Sequence, residues 1–214
     1  MRRKQEDRSR DTVERLMAAT VQSLQELGYR QTTLAQVAAR AGVTSGAIVH
    51  HFPDKAALFA AVHDYVFERL IERYEEVGRS KSGLRERWDA IFECFWSDAI
   101  LEPMVTADIE LSLAGRVDPS LSARFEEASI SRITRMSSLW RDLFTDAPDG
   151  EPDLLVELTM YLTRGLWSIR RSPATEPWIA EHLAKWKEIV EAKLGIPPVT
   201  DPKGWAGTGG NAIA

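Results

Sequence analysis

The 214-residue sequence predicts an all-α protein: an N-terminal three-helix domain containing a helix-turn-helix, then a C-terminal helical bundle, about nine helices in all. Three observations predict it. Apolar residues recur at three- and four-residue intervals from Val13 to Leu194, with no strand-like alternation of credible length. Pro103, Pro119 and Pro177 stand at the starts of such runs, where a first helical turn tolerates a missing N–H. Thr32 to Phe52, TTLAQVAARAGVTSGAIVHHF, reads as two short helices joined by a sharp turn.

Residues 1–8 are charged and lack an apolar period, so disorder is expected there. Arg2, Arg3 and Lys4 suit either an arm along DNA or a solubilising tail. The first helix is expected from Ser9 to Leu27, burying Val13, Leu16, Met17, Thr20, Leu24 and Leu27. Thr32 or Thr33 then caps a helix carrying Leu34, Val37, Ala38 and Ala41. Gly42 supplies the positive φ of the turn, and small Ala38 lets the helices cross closely. Val43 drops into the angle between them, and Thr44 or Ser45 caps the second motif helix, which carries Ile48 and ends near Phe52-Pro53.

The second helix of such a motif enters the major groove by its N-terminal residues. Here those are Thr44, Ser45, Gly46 and Ala47, a set suited to hydroxyl hydrogen bonds and methyl contacts with thymine. Thr33, Gln36 and Arg40 lie where they reach backbone phosphate or an outer base, and His50 is a further phosphate candidate. Asp54 caps a fourth helix running to about Val77, with Lys55 in its first turn, where its ammonium and the helix N-terminus can both meet phosphate.

Gly78 to Gly83 reads as a linker, placing a domain boundary near Tyr74–Ser82. Further helices follow over Leu84–Ser97, Pro103–Ala114, Pro119–Phe144, Leu154–Ile169 and Glu176–Leu194. On the third of these, Leu121, Phe125, Ala128, Ile133, Met136, Leu139, Trp140 and Leu143 are expected to face inward. The Pro/Gly/Ala-rich remainder, 197–214, is expected to be disordered.

The net charge of −5 argues against a nucleic-acid partner until its distribution is considered. Residues 1–55 hold nine Lys/Arg against six Asp/Glu; the rest hold 18 against 26. Phosphate attraction is local, screened beyond about 8 Å at physiological salt, so a basic N-terminal third can meet DNA. No membrane-length apolar run or signal segment occurs, and the lone Cys94 cannot form an internal disulfide, which points to the cytoplasm. His50 and His51 point to different sides of a helix, and His63 is too distant to complete a metal site. No nucleophile–base pair, glycine-rich phosphate loop or cofactor motif appears, so an enzyme is not expected.

The order of an amphipathic helix ending at Gly28-Tyr29, the Thr pair, the helix-turn-helix and His51-Phe52-Pro53-Asp54-Lys55 resembles the TetR family of one-component transcriptional regulators. The resemblance is specific over about residues 10–62; beyond, it is one of length and helical pattern. It implies a DNA-binding domain at 9–55, a connecting helix at 54–77, and a ligand-binding and dimerisation domain at 78–195. It also implies a homodimeric repressor on palindromic operator DNA, released by a small-molecule effector. The family usually places an aromatic, commonly tyrosine, that touches the DNA backbone where this chain has Val49, so the resemblance does not carry that phosphate contact over.

Aromatic richness suits a cavity for an apolar or aromatic effector, with Phe92, Phe95, Trp96, Met104, Asp108, Met136, Trp140 and Trp167 as candidate lining. The terminal helices offer a pairing face through Leu158, Tyr161, Leu162, Gly165, Ile169, Leu183, Trp186 and Val190. Two other readings stay open: a ligand-binding or enzymatic helical protein whose DNA module has lapsed, and an activator or architectural DNA binder without an effector.

Overall fold

The computed structural model describes residues 2–97, 101–147, 152–169 and 173–197. Among these lie nine α-helices and a 3-10 turn, and no strand. They are α1 (Arg2–Gln31), α2 (Leu34–Ala41), α3 (Ser45–His51), α4 (Lys55–Arg79), α5 (Leu84–Ser97), α6 (Glu102–Gly115), α7 (Pro119–Leu143), α8 (Pro152–Ile169) and α9 (Glu176–Lys193). The backbone of residues 2–8, expected to lack order, continues α1. Its Arg, Lys, Gln and Glu are good helix formers, and neither Gly nor Pro interrupts them. The expected disorder of 198–214 lies outside the described residues.

Two compact units form. The first joins Met1–Leu70 to Glu102–Ser131; the second comprises the described parts of Ile71–Leu101 and Arg132–Ala214. This division differs from a single boundary near Tyr74–Ser82, because α6 packs along α1. The buried face of α6, Val105, Ala107, Leu111 and Ala114, is rich in small side chains, which lets two helices approach closely. Around it the first unit buries Leu16, Leu24, Val37, Ile48, Leu58, Phe59, Val62 and Val66. At about 1.5–3 kcal/mol for each large apolar side chain, this burial is the main force holding the helix-turn-helix in place.

The second unit is built on aromatic packing. Tyr74 meets Phe95 and Trp140 at centroid distances of 5.0 and 5.3 Å, and Trp88 meets Phe92 at 5.4 Å. Gly78, read as a linker residue, is instead a buried helical residue: a Cβ there would stand 2.7 Å from Leu143 Cδ1. Ile133, expected to face inward, is 55 % exposed.

Candidate nucleic-acid interface

The turn between α2 and α3 is closed from both sides. Gly42 takes φ +64°, Val43 N–H donates to Ala38 O at 3.0 Å and Gly42 N–H to Ala39 O at 3.2 Å. These are the two bonds of a Schellman motif, satisfying carbonyls that the helix end would otherwise leave bare. From α1, Arg15 donates through Nε to Ala41 O at 3.1 Å and through Nη2 to Ala41 O and to Gly42 O, the latter at 2.9 Å. Thr33, not Thr32, is the α2 cap: it forms a reciprocal capping box with Gln36. Thr32 is buried and donates to Gly28 O at 2.8 Å, holding the end of α1 where Gly28 breaks the helix.

Thr44 caps α3, accepting from Ala47 N–H at 3.1 Å. Thr44, Ser45 and Gly46 are exposed and Ala47 half-buried, while Ile48 on the opposite side is 1 % exposed. The helix is therefore anchored by one face and presents its first turn outward. A Cβ on Gly46 would meet only Thr44 Oγ1, at 3.9 Å. His50 and Val49 are exposed beside this surface, and His51 packs toward Phe52.

Two candidate phosphate contacts carry further roles. Arg40 Nη1 donates to Glu26 Oε1 at 2.7 Å, and Nη2 pairs with Glu26 Oε2. Lys55 Nζ donates to Tyr29 O at 2.7 Å and Arg30 O at 3.3 Å, lying 4.3 Å from the Tyr29 ring centroid. Its ammonium thus caps the end of α1, and partial burial pulls its pKa below the ordinary lysine value, opposed by the charge of Asp118. Tyr29 in turn donates its hydroxyl to Asp118, the cap of α7, and its N–H to Glu110 of α6 at 3.3 Å. The helix-turn-helix is therefore joined at this corner to α4, α6 and α7.

The eight effector candidates divide between the units. Met104 and Asp108 belong to the first, where Asp108 is buried and its Oδ1 lies 3.3 Å from His63 Nε2. Phe92, Phe95, Trp96, Met136, Trp140 and Trp167 belong to the second. There they pack largely on one another: Trp96 stacks on Trp167 at 5.3 Å, and Trp167 donates to Phe95 O. The described grooves have other linings, one of about 390 Å³ between α4 and α5 bordered by Arg73, Lys81 and Cys94. The buried indole N–H groups of Trp88 and Trp140 have no acceptor among the described residues.

Of the pairing-face candidates, Leu158, Tyr161, Gly165 and Ile169 are exposed on α8, and Leu162 is half-buried. Leu183 and Val190 are instead fully buried within the chain, and Trp186 donates to Thr159 Oγ1 at 2.9 Å. These three face inward because α9 packs on α8 through that side. The outward stripe gains Leu154 on α8 and Trp178 and Ile189 on α9.

Residues 16–62 match the family model described as bacterial regulatory proteins, tetR family. Over these residues the chain is similar to the TetR family. It is 32 % identical over 123 residues to the HTH-type transcriptional regulator CymR of Pseudomonas putida, covering 56 % of this chain and 59 % of that one. It is 34 % identical over 88 residues to BetI of Yersinia pestis, covering 40 % and 44 %. The chain thus spans about half the length of the curated relatives it matches. A solved transcriptional regulator from Rhodococcus sp. Rha1 shares the fold over 84 % of this chain and 96 % of its own, with a TM-score of 0.68 at 22 % identity.

The contacts of Arg15 and Tyr29 are ones that the sequence reading missed. Arg15 finds its carbonyl partners 26 and 27 positions away. Nothing in local spacing signals a contact of that range.

Proposed function

We propose that the chain is a transcription regulator that binds a palindromic operator as a dimer, rather than an enzyme. The observation that carries this reading is the first turn of α3, outward-facing and small, held by a Schellman turn and the Arg15 clamp. Thr44 to Ala47 read base edges, while Thr33, Gln36, Arg40 and His50 position the helix on phosphates. The DNA-binding domain is residues 9–55, with 54–77 as connecting helix and 78–195 as the ligand-binding and dimerisation region.

Two supports extend the reading. The exposed stripe Leu154, Leu158, Tyr161, Gly165 and Ile169 on α8, with Trp178 and Ile189 on α9, is the apolar face that a second copy would cover. A two-fold pair reads a palindrome when its two α3 helices stand about 34 Å apart on one face of DNA. The aromatic interior of the second unit and the two indole N–H groups without acceptors among the described residues suit a largely apolar or aromatic effector bearing a hydrogen-bond acceptor. Such an effector releases the operator only by preferring the conformation that misplaces the two α3 helices. By family resemblance the regulator is a repressor.

Selecting bound sites from a random duplex pool tests the proposal. An enriched inverted repeat is expected; a pool that stays random after repeated rounds would remove DNA reading from this chain.

A further inference from the structure

Arg40 sits in the last turn of α2, immediately before the Gly42 turn that leads into α3. Among the described residues its guanidinium fork is held by the Glu26 carboxylate of α1 in a two-point arrangement: Nη1 to Oε1 at 2.7 Å and Nη2 to Oε2. Planar two-point pairing is the geometry by which arginine also grips a phosphate. The carboxylate and a DNA phosphate therefore compete for the same face of the same fork. Both side chains are open to solvent, with 30 % and 57 % of their surface exposed, so exchange needs no repacking of the core.

We infer that Glu26 is an internal competitor for Arg40, limiting the use the DNA backbone can make of this cation and so setting the affinity and salt dependence of DNA binding. The inference rests on the reading of Arg40 as a phosphate contact. Free protein keeps the Arg40 charge neutralised; on DNA, the fork swings from carboxylate to phosphate and Glu26 returns to water. Glu26 is held below the ordinary carboxylate range chiefly by its hydrogen bond to Arg40, so at neutral pH the competitor is fully charged. The exchange is nearly balanced, since exposed ion pairs contribute about 1 kcal/mol or less. It suits a regulator that must leave non-specific DNA easily, because that binding rests almost wholly on phosphate contacts.

The test is a double-mutant cycle on the full chain, using a fluorescent mixed-sequence duplex of about 30 base pairs titrated over about 50–200 mM KCl. Glu26→Gln should tighten binding about 2–5-fold, the range an exposed pair allows, and steepen the log–log salt slope. Arg40→Ala should weaken binding and flatten the slope, and adding Glu26→Gln to Arg40→Ala should change little. If Glu26→Gln weakens binding or leaves it unchanged while Arg40→Ala weakens it, the competitor role is wrong. An equal gain in the Arg40→Ala background also overturns it, since Glu26 would then act as a plain repulsive charge. If Arg40→Ala has no effect, the phosphate reading of Arg40 fails first. Matching thermal melts confirm that all variants fold.

Discussion

The Tyr29 hydroxyl donates to the carboxylate of Asp118, tying the end of α1 to the start of α7 across 89 positions of sequence. Asp118 also accepts from the Ser120 hydroxyl at 2.6 Å and from the backbone N–H groups of Ser120 and Leu121. A carboxylate so supplied with donors stays charged at unusually low pH. The Ser120 hydroxyl, then Tyr29, then the backbone donors hold its pKa down to about 2, from an ordinary 3.8.

That depression gives an acid-stability prediction. The folded state binds the Asp118 proton less tightly than the unfolded state does. Its contribution is therefore whole above pH 3.8 and is lost as pH falls through about 2. Asp118→Asn should flatten this part of the stability profile relative to wild type in urea titrations between those values. Tyr29→Phe should do so partly, since one donor is removed. Identical acid profiles for all three proteins would show that Asp118 gains nothing from its donors.

Lys55→Ala should destabilise the first unit. Two charge-assisted bonds to the last carbonyls of α1 are lost, which costs about 1–3 kcal/mol for the pair after water replaces part of them. If Lys55 also reaches phosphate with its remaining N–H, the salt slope of DNA binding should fall by about one unit. A lowered melting temperature with an unchanged slope assigns Lys55 to structure alone; an unchanged melting temperature contradicts the capping role.

Leu158→Glu combined with Tyr161→Glu should yield monomers in sedimentation equilibrium while leaving helicity intact. Both side chains are exposed on α8, 44 % and 55 %, so the charges are solvated in the free chain and buried only against a second copy. An unchanged sedimenting mass would place any pairing surface elsewhere.

The helix-turn-helix was legible in the sequence because its determinants are local. Gly42, the Thr caps, and Val37, Ala38 and Ile48 act within a few residues of one another. Partners distant in sequence were not legible. The sequence marks α6 as a helix, but not that Val105, Ala107, Leu111 and Ala114 are its buried residues nor that α1 packs against it. Leu183 and Val190 share their apolar character with Leu158 and Tyr161, yet the first pair faces the chain's own core and the second faces solvent. Lys55 was read by its position at a helix start, where an ammonium suits phosphate; its bonds to carbonyls 25 and 26 positions earlier were not legible.

Gly46→Arg tests most directly whether the first turn of α3 reads DNA. The position is exposed, and a Cβ there meets nothing closer than 3.9 Å, so the fold has room for the side chain. Replacing Gly in a helix also favours the helix by up to about 1 kcal/mol. In titrations on the sequence selected by wild-type protein, the variant should lose about 100-fold or more in affinity, as expected when a bulky side chain lifts the helix from the groove. Its melting temperature should be no lower than wild type, and its sedimenting mass should match. Undiminished affinity for the selected sequence would show that this turn does not enter the groove.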